Sequence, residues 1–173
     1  MPIVWRSEMS IDGGMIDADH RCLIEIINAV EAVRPGPSMP NEVVKTLAEL
    51  SAYAQLHFDR EQKLQDTVRF TYARAHLQRH RALLRDLDGM RAEWEKTRAP
   101  REVVAFHGQL CRFLYDWLID HICKVDVLMK PFVDEMRGYT TDVVPLTRAA
   151  ELGTLGSSQA QGAPHRQLPL AAR

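Results

Sequence analysis

The feature that most constrains this chain is a repeated apolar stripe at three- and four-residue steps, cut at intervals by helix breakers. Ile16, His20, Leu23, Ile27 and Val30 form the first stripe, over about 17–33, and Pro35, Gly36, Pro37 and Pro40 end it. Val43, Leu47, Leu50, Ala54, His57, Glu61 and Leu64 form the second, over about 41–66, with Asn41 as the expected N-cap. Ala73, His76, His80, Leu83, Leu87, Met90 and Trp94 form the third, over about 72–96. The fourth starts near Pro100, a favourable first-turn residue. It carries Val103, His107, Leu110, Leu114, Trp117, His121, Val125 and Leu128, and Pro131 marks its end or a kink. Strand alternation is nearly absent. Short links between long helices force antiparallel neighbours. The expected fold is therefore all-α: an up-down-up-down four-helix bundle, with residues 1–16 as an N-terminal arm laid across it.

The bundle is expected over residues 1–136. Beyond Met136 the chain turns to Gly, Pro, Ser, Ala and Gln without a sustained period, and 137–173 reads as a flexible, disordered tail. A short helix around 147–152 docking on the bundle is the other reading. Composition excludes several classes. With 22 Lys+Arg against 23 Asp+Glu there is no basic excess for nucleic acid or a membrane surface. No apolar run is long enough to span a bilayer. Residues 1–12 lack the apolar stretch of a secretory signal. Three scattered cysteines, Cys22, Cys111 and Cys123, form no disulfide framework, so a reduced, cytoplasmic protein is expected.

The stripes hold polar residues where a bundle core should be apolar. His57 and Glu61 are four residues apart on the second helix, as are His76 and His80 on the third. A step of four turns a helix by about 400°, so each pair shares a face one turn apart. The first helix adds His20; the fourth adds His121 and Asp126. His20, His76 and His80 fall near helix starts; His57, Glu61, His121 and Asp126 fall near helix ends. In an antiparallel bundle all seven then lie in one layer. A lone histidine on a stripe is ordinarily a hydrogen-bonded core residue. Five imidazoles and two carboxylates buried together without partners would cost several kcal/mol each, and a metal supplies the missing partner. Seven N and O ligands without sulfur exceed what one structural zinc takes and suit two first-row ions such as iron. Cys22 and Cys123 each follow a ligand by two residues and face away. Asp126 is awkward: a step of five leaves it about 140° from His121 on a straight helix. Either a π-bulge or a kink brings it round, or it is a solvent-facing aspartate. His107, roughly 21 Å along the helix from His121, cannot join the site, and His165 in the tail has no assignable role.

The order His20, His57-x-x-x-Glu61, His76-x-x-x-His80, His121-x-x-x-x-Asp126 resembles the hemerythrin family, in particular bacterial hemerythrins. Trp5, Ile16-Asp17-Ala18-Asp19-His20, His57-Phe58, Trp117-Leu118-Ile119-Asp120-His121-Ile122 and Pro131-Phe132 agree with it. The sequence departs from the family at Ser10–Met15 and at Val68–Tyr72, where a Gly-Tyr-Pro-like turn is usual. The resemblance implies a non-haem di-iron centre, two iron ions with an oxo or hydroxo bridge. Glu61 and Asp126 would bridge; His76, His80 and His121 would hold one iron, His20 and His57 the other. Counting six positions per iron then leaves one open, on the iron of His20 and His57. Leu23, Phe58, Trp117 and Leu118 are expected to form an apolar O2 pocket there, and they serve equally as ordinary core. The implied function is reversible O2 binding for carriage, storage or sensing, not catalysis. A di-iron oxidase or peroxidase-type enzyme on the same site is the alternative. Many di-iron oxidases use Glu-x-x-His spacing, which the ligand stripes here lack. Iron storage would require release that a closed site does not suggest. O2 is the expected partner, with neither nucleic acid nor membrane; a sensor would need a protein partner, reached through the tail or the Trp5 arm.

Overall fold

A computed structural model describes residues 2–97 and 100–142. The tail expected from residue 137 is helical over 137–142 rather than irregular; the rest of it, including the helix at 147–152 and His165, lies outside the described residues. Four long helices make the fold: α1 (Met15–Ala32), α2 (Met39–Thr67), α3 (Ala73–Lys96) and α4 (Pro100–Lys124). A short 3-10 turn, Asp126–Met129, leads into α5 (Lys130–Asp142). Helix α1 packs on α2 and α4, and α3 packs on α2 and α4, so the four close a square, antiparallel ring. No strand occurs among the described residues.

The stripes are what the ring buries. Leu23, Ile27, Val30, Leu47, Leu50, Leu87, Leu110 and Leu114 are at most 4% exposed. Each such side chain contributes about 1.5–3 kcal/mol on leaving water. A smaller cluster closes one end of the ring, with Ile11, Ile16, Phe70 and Met129 at its centre and Leu64 and Phe132 against them.

The arm is tied down at both ends. Ile3 donates its N–H to Asn28 Oδ1 at 2.8 Å, and Asn28 Nδ2 donates back to Ile3 O at 2.9 Å. At the start of α1 two carboxylates exchange partners. Asp12 accepts from the N–H groups of Gly14, Ile16 and Asp17, which the helix leaves free. Asp17 accepts from the N–H groups of Ile11, Asp12 and Gly13 and from the Ser10 hydroxyl. Gly13 permits the reversal with a left-handed φ of 55°. This clasp sets where α1 begins, and hence the height of His20 in the bundle.

Two sequence expectations need correction. Helix α2 starts at Met39, two residues before Asn41. Pro40 fits the first turn, where its missing N–H costs nothing, so Asn41 is inside the helix and caps nothing. Helix α4 ends at Lys124 rather than running toward Pro131. Val125 leaves helical geometry, with φ −119° and ψ −58°, and Leu128 emerges 49% exposed rather than on a buried stripe.

Candidate metal centre

The seven singled-out polar residues come together. His20 arrives from the second turn of α1, His57 and Glu61 from the last third of α2, His76 and His80 from the first two turns of α3, and His121 from the end of α4. Asp126 comes from the 3-10 turn. None is more than 6% exposed. The break at Val125 answers the angular problem of the five-residue step. Val125 N–H closes the last turn on His121 O at 2.9 Å; the backbone then tightens, and Asp126 swings inward. It is neither a π-bulge nor a solvent-facing aspartate.

The ligand atoms form two overlapping sets. One is Glu61, His76, His80, His121 and Asp126; the other is His20, His57, Glu61 and Asp126. Within each set the atoms lie within 4.8 Å of one another, and both carboxylates belong to both sets. Asp126 presents Oδ1 to His76 Nε2 at 2.8 Å and to His121 Nε2 at 3.0 Å, and turns Oδ2 to His20 Nε2 at 3.4 Å. Glu61 Oε2 lies 3.0 Å from His80 Nε2, 3.7 Å from His76 Nε2 and 3.8 Å from His57 Nε2. Two ligand atoms at right angles about 2.1 Å from a first-row ion stand about 3.0 Å apart. The three shortest separations, 2.8, 3.0 and 3.0 Å, match the edges of such a coordination shell.

Satisfaction of the polar atoms makes the same point. Both ring nitrogens of His20, both oxygens of Glu61, His80 Nε2 and Asp126 Oδ2 are buried without a hydrogen-bond partner. Orphans at this density are costly in a folded core. His76 and His121 even bring two Nε2 atoms to 3.3 Å. A cation between these lone pairs supplies what protein atoms do not, so the residues fit a metal.

Electrostatics explains why the protein alone leaves the site frustrated. Burial, then the charge of Asp126, pushes Glu61 well above the usual carboxylate range. Burial also pushes Asp126 upward, but the charge of His121 and contacts from His20 and His76 outweigh it and hold it well below 3.8. Burial, reinforced by His121 and His76, drives His80 down to about 2. Burial drives His121 to about 4 against the pull of Asp126. His80 and His121 are thus held neutral, the form that offers a lone pair to a metal.

Two residues outside the stripe argument touch the ligand rings. Gln65, one turn beyond Glu61 and buried, sets its amide 2.6 Å from His76 Nδ1. Its Oε1 has no hydrogen-bond partner. Exchanging the two ends of that amide lets Oε1 accept from His76 Nδ1–H and leaves the Nε2 lone pair facing inward. Asp19, buried on α1, lies with Oδ2 3.6 Å from His57 Nδ1. The signal for Gln65 was its place four residues after Glu61. Asp19 gives no signal without knowledge of which helix lies beside it.

The four apolar candidates are all buried, at 1% for Leu23, 5% for Phe58, 6% for Trp117 and 2% for Leu118. Phe58 stacks on the His80 ring at 3.8 Å between centroids and lies 5.9 Å from His121. Trp117 donates its indole N–H to Leu83 O at 3.0 Å. His107 stands apart from the cluster, with its Nε2–H donated to Val30 O at 2.8 Å near the end of α1. Cys22 and Cys111 are half-buried, Cys123 is exposed, and all three are free thiols.

Comparison with known proteins places this arrangement. The profile of the hemerythrin HHE cation binding domain matches residues 14–133. A bacteriohemerythrin of Pseudomonas paraeruginosa is 25% identical over 142 residues, covering 82% of this chain and 86% of its own length. A hemerythrin-like protein of Naegleria gruberi is 26% identical over 129 residues, covering 75% and 92%. A bacteriohemerythrin of Methylococcus capsulatus is 26% identical over 125 residues, covering 72% and 91%.

Proposed function

The chain belongs to the hemerythrin family, and from that premise we propose that it binds O2 reversibly at a non-haem di-iron centre, for carriage, storage or sensing, and is not an enzyme. The observation that carries this reading is the pair of ligand sets sharing both carboxylates. Two ions each served by Glu61 and Asp126 explain why one small volume holds seven donor groups. We assign His76, His80 and His121 to one iron and His20 and His57 to the other, which keeps a position free of protein ligands. Ferrous iron held there would supply the reversible electron donation that O2 binding requires.

The protein's own part is to hold the donors and to keep water and protons out. Glu61 and Asp126 come from α2 and from the turn after α4, so the site forms only when the ring closes. Leu23, Phe58, Trp117 and Leu118 are assigned to the wall of the O2 pocket. Trp117 has spent its N–H on Leu83 O, and the other three have no polar hydrogen to give. A wall without a proton donor favours holding O2 over reducing it. No described helix is long and apolar enough to cross a membrane, and three unpaired thiols suit a reducing compartment. We therefore place the protein in the cytoplasm.

The test is anaerobic titration of ferrous-loaded protein with O2, followed in the visible spectrum. Colour that appears on oxygenation and fades under argon supports the reading. Irreversible bleaching with product formation supports an oxidase instead.

A further inference from the structure

The two halves of the centre are backed by different chemistry. On the side of the three histidines, the residue behind His76 is the neutral amide of Gln65. On the two-histidine side, the residue behind His57 is the carboxylate of Asp19. That carboxylate is itself held. Asp19 Oδ1 accepts from the Tyr53 hydroxyl at 2.9 Å and from Arg60 Nη1 at 2.5 Å. Tyr53 and Arg60 are two turns apart on one face of α2, and they grip the acid from α1 between them. With Oδ1 doubly occupied, Oδ2 is left over. It is buried and has no hydrogen-bond partner, and so is His57 Nδ1, 3.6 Å away. The two unpartnered atoms face each other.

We propose that Asp19, clamped by Tyr53 and Arg60, is the positioning residue of His57, and that it strengthens the metal position formed by His20 and His57 selectively. Accepting the Nδ1 proton fixes the imidazole in the tautomer whose Nε2 lone pair faces Glu61 and the centre. An anionic acceptor makes that imidazole a stronger donor than an amide acceptor makes His76. His20 has no such support: neither of its ring nitrogens has a hydrogen-bond partner. The side with fewer protein ligands therefore depends on one carboxylate for much of its hold. Arg60 lies at the surface, its side chain about a third exposed, whereas Asp19 is buried. The clamp thus connects the protein surface to a ligand ring through two contacts.

This inference rests on the di-iron reading, and one experiment separates the two. Full-length protein is loaded anaerobically with ferrous iron alone, the iron is counted, and its release to a ferrous chelator is timed. Unchanged protein should take up two irons. Asp19→Asn keeps the shape but accepts the Nδ1 proton weakly. It should release one iron roughly 10–100-fold faster, the range for loss of such a partner. The other iron should leave at its original rate. That selectivity is the readout a general loosening of the fold would not produce. Two irons in both proteins with matching release, or both irons accelerated alike, overturns the role of Asp19 and leaves the di-iron reading standing. Fewer than two irons in the unchanged protein overturns both. Should Asp19→Asn lose its helical circular dichroism, Arg60→Gln removes half the clamp while sparing every ligand. It should speed the same single iron, and release identical to the unchanged protein overturns the proposal.

Discussion

Stripping the metal should turn the core of this protein into an acid-sensitive one, and the size of the effect follows from the buried imidazoles. His80 and His121 titrate at about 2 and about 4 in the folded chain, against about 6.5 in an unfolded one. A histidine with a lowered pKa binds its proton only in the unfolded state, so stability falls as pH drops through 6.5. The fall continues down to the folded value. Each such group removes about 1.4 kcal/mol per pH unit in that window. His57 moves the same way, lowered chiefly by burial. Glu61 moves oppositely: its raised pKa favours the folded state as pH falls. Asp126, lowered below 3.8, adds its loss only under more acidic conditions. From pH 6.5 to pH 5, His80 and His121 by themselves remove about 3 kcal/mol, a large share of a typical total of about 5–15. The assay is urea unfolding of chelator-treated protein at pH 7.5, 6.5 and 5, followed by circular dichroism, beside the ferrous-loaded protein. The metal-free stability should drop steeply across the last interval. A metal-free stability that stays flat from pH 6.5 to 5 would show that these rings are not held neutral, and the account of the frustrated core would fail.

Three further outcomes follow from individual side chains. Glu61→Ala should hold well below two irons by metal analysis, because its carboxylate belongs to both ligand sets; two retained irons would remove it from the centre. Leu118→Asn should shorten the life of the oxygenated form with iron content unchanged, since it brings water and a donor to the proposed pocket wall; equal decay of the visible band at equal loading refutes a guarding role. Arg69→Gly should raise the thermal midpoint by about 2–4 °C, relieving roughly 1 kcal/mol at a left-handed position; a lower midpoint would show that the Arg69 side chain holds the loop.

That last position shows where the sequence could be read and where it could not. The end of α2 is a Schellman closure: Phe70 N–H bonds Gln65 O at 2.9 Å and Arg69 N–H bonds Asp66 O at 3.4 Å. The residue between takes φ 53°, and it is an arginine, not a glycine. The usual turn letters are missing, yet the turn is made, because Phe70 packs into the cluster of Leu64, Ile16 and Met129 and fixes the chain from outside. The stripes, the four helices and the level of the histidines were legible, since each depends on spacing within one helix. Asn41 has the residue type of a cap, but Pro40 before it suits the first turn and moves the helix start to Met39. Asp19 was illegible for another reason. Its partner stands on another helix, and only the crossing of α1 against α2 brings it to His57; Gln65 shows itself only by its place one turn after Glu61.

The break after α4 connects the site's composition with its burial. A straight helix through Val125 would carry Asp126 away from His121 and leave the centre with a single carboxylate. Ending α4 at Lys124 re-aims Asp126, whose two oxygens then divide between His76 and His121 on one side and His20 on the other. The same change of direction carries Met129 to full burial against Ile11, Ile16 and Phe70, with Phe132 packed behind. That cluster closes the end of the ring in which all the donor groups lie. The turn supplies a ligand and the seal together. An insertion that let α4 continue would therefore open the bundle end to water as well as remove Asp126. The seal over this end of the bundle and the inward aim of Asp126 are consequences of one backbone departure.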